Sequence, residues 1–131
     1  MELNEILFLV GRVIFGGYFL MSAWNHFAKH GMLAAYTESK GVPMSGLMVY
    51  VSGLLILFGG AGILLGVYVG WAVAALVLFL LPVSFMMHNF WKDTDPNMKM
   101  SNMVNFTKNM ALIGAALMFL AIPMPWLFSA F

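Results

Sequence analysis

The sequence predicts an all-α fold, a four-helix transmembrane bundle with a short interfacial segment after the first span, and three observations carry that reading. Of the 131 residues, 63% are hydrophobic and 8% are charged, whereas an ordinary soluble domain carries about 25% charged residues. Four apolar runs, near 6–28, 46–68, 71–91 and 106–128, each reach the roughly 20 residues that a helix needs to cross a hydrocarbon core. The 13 glycines concentrate in the second run, where small residues let membrane helices approach closely. The length allows one integral-membrane domain, 1–131.

Composition also excludes classes of function. A net charge of +1 leaves no broad basic surface for nucleic acid. The absence of cysteine removes disulfides, thiolate metal sites and CxxC redox chemistry carried by the chain itself. The 13 methionines are ordinary gap-fillers of an apolar interior. The start, Met1-Glu-Leu-Asn-Glu5, is acidic where a signal peptide is basic. The run behind it is too long for a signal-peptide core, so it reads as a retained span.

Span one holds a charge, Arg12, and ends near His26. A charge at mid-span costs about 2.5–3.5 kcal/mol on insertion scales, so it faces protein or water rather than lipid. Fourteen positions separate Arg12 from His26, which at about 100° each returns the helix to within roughly 40° of its starting direction. Gly16 and Ala23 fall on the same line. This face is expected to turn inward, with Arg12 in a structural or ligand-placing role. The segment from His30 to Ser45 has mixed polarity and is broken by Gly41 and Pro43.

Span two, carrying Gly53, Gly59, Gly60, Gly62 and Gly66, is expected to be the helix on which the others lean. Val69-Gly70 is almost no connection, so span three returns antiparallel beside it. Pro82 removes one backbone bond within span three and is expected to kink it. Beyond it, Ser84 and His88 stand one turn apart. Lys92 to Asn105 reads as a polar loop, and Lys108 and Asn109 as the first turn of span four. Trp24 and Trp91 would mark the loop side, Trp71 and Trp126 the terminal side. Lysines 29, 40, 92, 99 and 108 all fall toward the loop side, which the positive-inside rule makes cytoplasmic.

Four groups carry the candidate site. His26 and His88 lie at similar distances from the loop-side ends of spans one and three, and Lys108 and Asn109 open span four on that side. Together they suit a quinone, a lipid or a small acid. Interfacial wetting by headgroups explains the same residues equally well. His26 and His30 have the i, i+4 spacing of metal ligands, with Asp93 and Asp95 nearby. Met98, Met100 and Met103 offer soft thioethers for copper. Haem between His26 and His88 is a further alternative. No triad order, phosphate loop or dinucleotide fingerprint is present.

The chain resembles the DoxX family of small four-span membrane proteins. The resemblance rests on Arg12, Trp24-Asn-His26-Phe, Gly41-Val-Pro43, the Gly53, Gly59-Gly60 and Gly66 helix, His88, and Lys108-Asn-Met-Ala-Leu-Ile-Gly114. It implies a multi-pass protein of the prokaryotic inner membrane, associated in some members with quinone-coupled sulfur oxidation or membrane thiol and oxidative-stress systems. Two departures stand out: Ile56 occupies a place where the family often has glutamate, and Val69-Gly70 lacks a basic residue common in that turn.

The leading expectation is a redox-associated subunit that binds its ligand at Arg12, His26, His88, Lys108 and Asn109. Its electrons would come from a membrane or peripheral redox partner or from a bound cofactor. A structural accessory subunit, docking into a larger complex or a homo-oligomer, and a metal-handling protein are the alternatives. The absence of a paired broken helix argues against a secondary transporter.

Overall fold

The computed structural model describes residues 2–130. The described residues form α1 (Leu3–Ala28), α2 (His30–Ser39), α3 (Ser45–Leu65), α4 (Val69–Met87), a one-turn 3-10 helix (Phe90–Lys92) and α5 (Pro96–Phe119). Three helical segments, Leu3–Ala28, Ser45–Leu65 and Val69–Lys92, are long and apolar enough to cross a membrane. α2 is the short segment expected between the first two spans.

The fourth apolar run does not form the helix expected over 106–128. α5 begins ten residues earlier and ends at Phe119. The Asp95 side chain accepts from the Met98 N–H and Pro96 takes the first helical turn, which is a strong start signal. Beyond Leu120 the chain meets Pro123 and Pro125 and runs on as a non-helical tail. The polar stretch read as a loop is therefore largely helix, so α5 is less apolar than the three spanning segments.

α3 is the hub. α1 and α4 pack on two different faces of it, and α5 packs on α4. On the first face, a Cβ added at Gly16 would stand 2.8 Å from the Gly60 carbonyl oxygen, and one at Gly60 would stand 3.0 Å from the Gly16 oxygen. The two backbones are in contact there. On the second face, Gly59 and Gly62 admit Leu76 and Ala72 of α4. The inner line expected on α1 is the buried one, comprising Arg12, Gly16, Phe19 and Ala23. Ile56, at the position where the family often carries glutamate, is fully buried in the apolar core with Phe19, Ala23, Leu76 and Leu80.

Arg12 is completely buried. Its Nε donates to the Ile63 carbonyl at 3.2 Å and its Nη2 to Leu64 at 2.9 Å. Nη1 and Nη2 also donate to the tail carbonyls of Leu127 and Phe128. The rings of Trp126 and Phe8 lie 5.2 and 5.5 Å from the guanidinium. Helix ends leave carbonyls without intrahelical donors, and a bilayer offers no water to replace them. Here Arg12 satisfies two, Ala130 N–H satisfies Leu65, and Ser129 Oγ satisfies Gly66. Positive charge at a helix C-terminus is also favoured by the helix dipole. Trp126, expected as an interfacial anchor, is buried against Phe8 and Phe119 instead.

Arg12→Leu should strand the Ile63 and Leu64 carbonyls at about 1–3 kcal/mol each. The expected result is a fall in detergent melting temperature of at least about 5 °C. Arg12→Lys, with one compact donor group, should recover only part of it. Thermal unfolding followed by circular dichroism checks both. Gly16→Val should likewise destabilise because backbone blocks the new side chain, whereas Gly17→Val enters open space. Equal effects of the two on the same melting curve would contradict the close crossing.

Candidate functional site

A cavity of about 520 Å³ opens inside the loop-side half of the bundle, well within the roughly 300–1,000 Å³ of small-molecule sites. Every long helix contributes to its wall. His26 comes from α1, Ser52 and Leu55 from α3, Phe79 and Pro82 from α4, and Lys108 and Asn109 from α5, with His88 just past the end of α4. His26, His88, Lys108 and Asn109 thus share one cavity.

They do not share one depth. His26 sits in the last turn of α1, but Lys108 lies mid-helix in α5 and its ammonium stands 5.6 Å from the Tyr18 ring. Tyr18 is eight residues further into the bundle than His26, about 12 Å of helix rise. The polar groups are strung along the cavity, and Lys108, further from the loop-side end than His26, is an exposed residue. Arg12 is not part of the lining. Its donors face the α3 terminus and the tail, which makes it a structural clamp rather than a ligand-contacting group. Ser84, expected on the same polar stripe as His88, is also outside the lining, and its hydroxyl donates to the Leu80 carbonyl at 2.6 Å.

Local bonds set the histidines. His26 Nδ1 lies 2.7 Å from the Ser22 carbonyl, which can only accept, so Nδ1 carries the proton. The ring rests edge-on against Phe79. His88 Nδ1 lies 3.3 Å from Asn102 Oδ1, while Asn102 Nδ2 donates to Asp93 Oδ2 at 2.7 Å. The carboxylate accepts from the amide nitrogen, so the amide oxygen faces His88 and accepts from Nδ1–H. In both neutral rings Nε2 is left as the acceptor. Asn109 is only 5% exposed, lines the cavity and makes no side-chain hydrogen bond. Its amide remains available to whatever fills the space.

Asn102 is absent from the sequence-derived site, and Asp93, considered there only as a metal ligand, instead accepts from Asn102. Asn102, Asn109 and Ala116 recur every seven residues on the buried side of α5. That stripe becomes visible once Asp95-Pro96 is read as the helix start.

The metal reading loses its geometry. α1 ends before His30, whose Nε2 is 2.7 Å from the Gly46 carbonyl and whose ring stacks on Tyr50 at 3.8 Å. Among the described residues no three His, Asp or Glu side chains gather to hold an ion. Met98 and Met100 lie exposed on the first turns of α5. Pro82 lacks an N–H, so the Leu78 carbonyl loses its i+4 donor, and both residues border the cavity.

These features define a multi-span helical membrane protein enclosing an amphipathic cavity. The DoxX family model matches residues 7–89, and the chain belongs to the DoxX family. That match takes in His26 and His88, whereas Lys108 and Asn109 lie beyond it. No curated protein and no solved structure matches the chain.

The His88–Asn102–Asp93 series makes a testable statement about protonation. Nitrogen-15 spectra at alkaline pH should show His88 as the Nδ1–H tautomer. Asn102→Leu should give the solution mixture of tautomers, and an unchanged spectrum would mean that Asn102 does not orient the ring.

Proposed function

We propose that the protein is a redox-associated subunit of the prokaryotic inner membrane that holds a quinone, a lipid or a small acid in its loop-side cavity. The observation that carries this reading is the meeting of His26, His88, Lys108 and Asn109 on one cavity whose remaining wall is largely apolar. Binding sites for small molecules combine an apolar surface with a few placed polar groups in this way. The two imidazoles, each with Nε2 left as an acceptor, suit a ligand that carries a hydroxyl or acid proton. With no cysteine in the chain, the electrons themselves belong to the ligand and to a partner. Family membership adds support, because quinone-linked oxidation and oxidative-stress systems are associated with some DoxX proteins.

The test is the content of gently solubilised protein, extracted and read by mass spectrometry. Wild-type protein should carry one class of quinone, lipid or organic acid at near-stoichiometric level. Leu55→Trp, which fills the cavity, and Asn109→Leu should each lower that level severalfold while the helical signal is kept. Wild-type protein that emerges empty from native membranes, and takes up none of these ligands when supplied, would overturn the reading.

A further inference from the structure

The cavity has two chemically different ends. At one stands Lys108 of α5, an exposed residue whose ammonium lies 5.6 Å from the centre of the exposed Tyr18 ring, about 15 Å of helix rise from the loop-side end of α1. Among the described residues no carboxylate pairs with it. Asn109, whose side chain also lines the cavity, is the next residue along the helix.

At the other end the wall is hydrocarbon. α3 and α4 are joined by a short turn at Gly66–Tyr68 and held together near it by Gly59, Gly62, Ala72 and Leu76. On the loop side of those contacts, the cavity is bordered by Val51 of α3 and by Leu78 and Met86 of α4. All three are also exposed on the outer surface, at 41%, 61% and 43%. The cavity is therefore open along an apolar stretch of surface as well as beside Tyr18 and Lys108.

An ammonium this far along the bundle from the loop-side end is costly unless it reaches water or an anion. A counter-ion that arrives through a hydrocarbon mouth must itself be amphiphilic. We infer that the ligand is a single-chain anionic amphiphile of the carboxylate class, its head on Lys108 and Asn109 and its chain lying in the α3–α4 cleft, admitted sideways from the bilayer. The inference rests on the binding reading above and narrows it. A neutral ligand would leave the lysine unpaired, and a short water-soluble acid would leave the apolar cleft unfilled.

The experiment measures tritiated oleate binding to the protein in phosphatidylcholine nanodiscs, with empty discs as background. Unlabelled oleate, oleyl alcohol, butyrate and decylubiquinone serve as competitors. Oleate should bind saturably, and the alcohol and butyrate should each compete at least about tenfold less well. Lys108→Gln should abolish the preference for oleate over the alcohol, and Lys108→Arg should keep it. The wild-type competition alone decides the matter if either variant fails to fold.

Equal competition by oleyl alcohol would overturn the anionic head. Equal competition by butyrate would overturn the lipid source. Direct binding of labelled decylubiquinone in the absence of oleate binding would overturn this inference and leave the broader function standing. Failure of all four ligands, with nothing extracted from native protein, would overturn both.

Discussion

The bundle depends on one constraint, the need to satisfy the carbonyls at the end of a glycine-rich helix where no water is at hand. Arg12 meets it with the guanidinium, which offers five donors in a fixed plane. Donors from the first helix reach the end of α3 and the tail at once. Trp126 and Phe8 cover the charge with their rings. A single buried residue thus fixes how α1 meets α3 and where residues 126–130 lie. This places the most expensive group of the chain where its hydrogen-bonding capacity is best used.

With the terminal side locked in this way, the loop side is free to hold a cavity. Glycines bring α1 and α4 onto separate faces of α3, and α5 reaches the bundle mainly through α4. Toward the terminal side, Phe8 and Phe15 of α1 meet Phe119 of α5. Further up, Lys108 against Tyr18 joins the same two helices. The site is built where packing is least continuous, and its two histidines are held by a bond within α1 and by the Asp93–Asn102 pair.

Much of this was legible from the residues. The inward face of α1 follows from the fourteen-residue spacing of Arg12 and His26, and the central place of α3 follows from its glycines. That His26 and His88 border one cavity accords with antiparallel threading. Hydropathy misled at α5, because the eye follows apolar runs while the helix obeys its start signal at Asp95-Pro96. Shifting that start moved Lys108 from the first turn to the middle of the helix and exposed Asn102 as a partner of His88. Arg12's partners were not legible. They are backbone carbonyls, which every residue has, and no side-chain pattern marks the ones that will be left over.

The clamp also orders events during synthesis. Arg12 enters the membrane early, yet its α3 acceptors come 51 and 52 positions later and its tail acceptors 115 and 116 positions later. Until then the nascent first helix carries an unanswered cation, which favours holding it beside the insertion machinery rather than releasing it into lipid. The tail carbonyls follow every α-helix described, so a chain cut before residue 127 leaves Arg12 with its α3 acceptors alone.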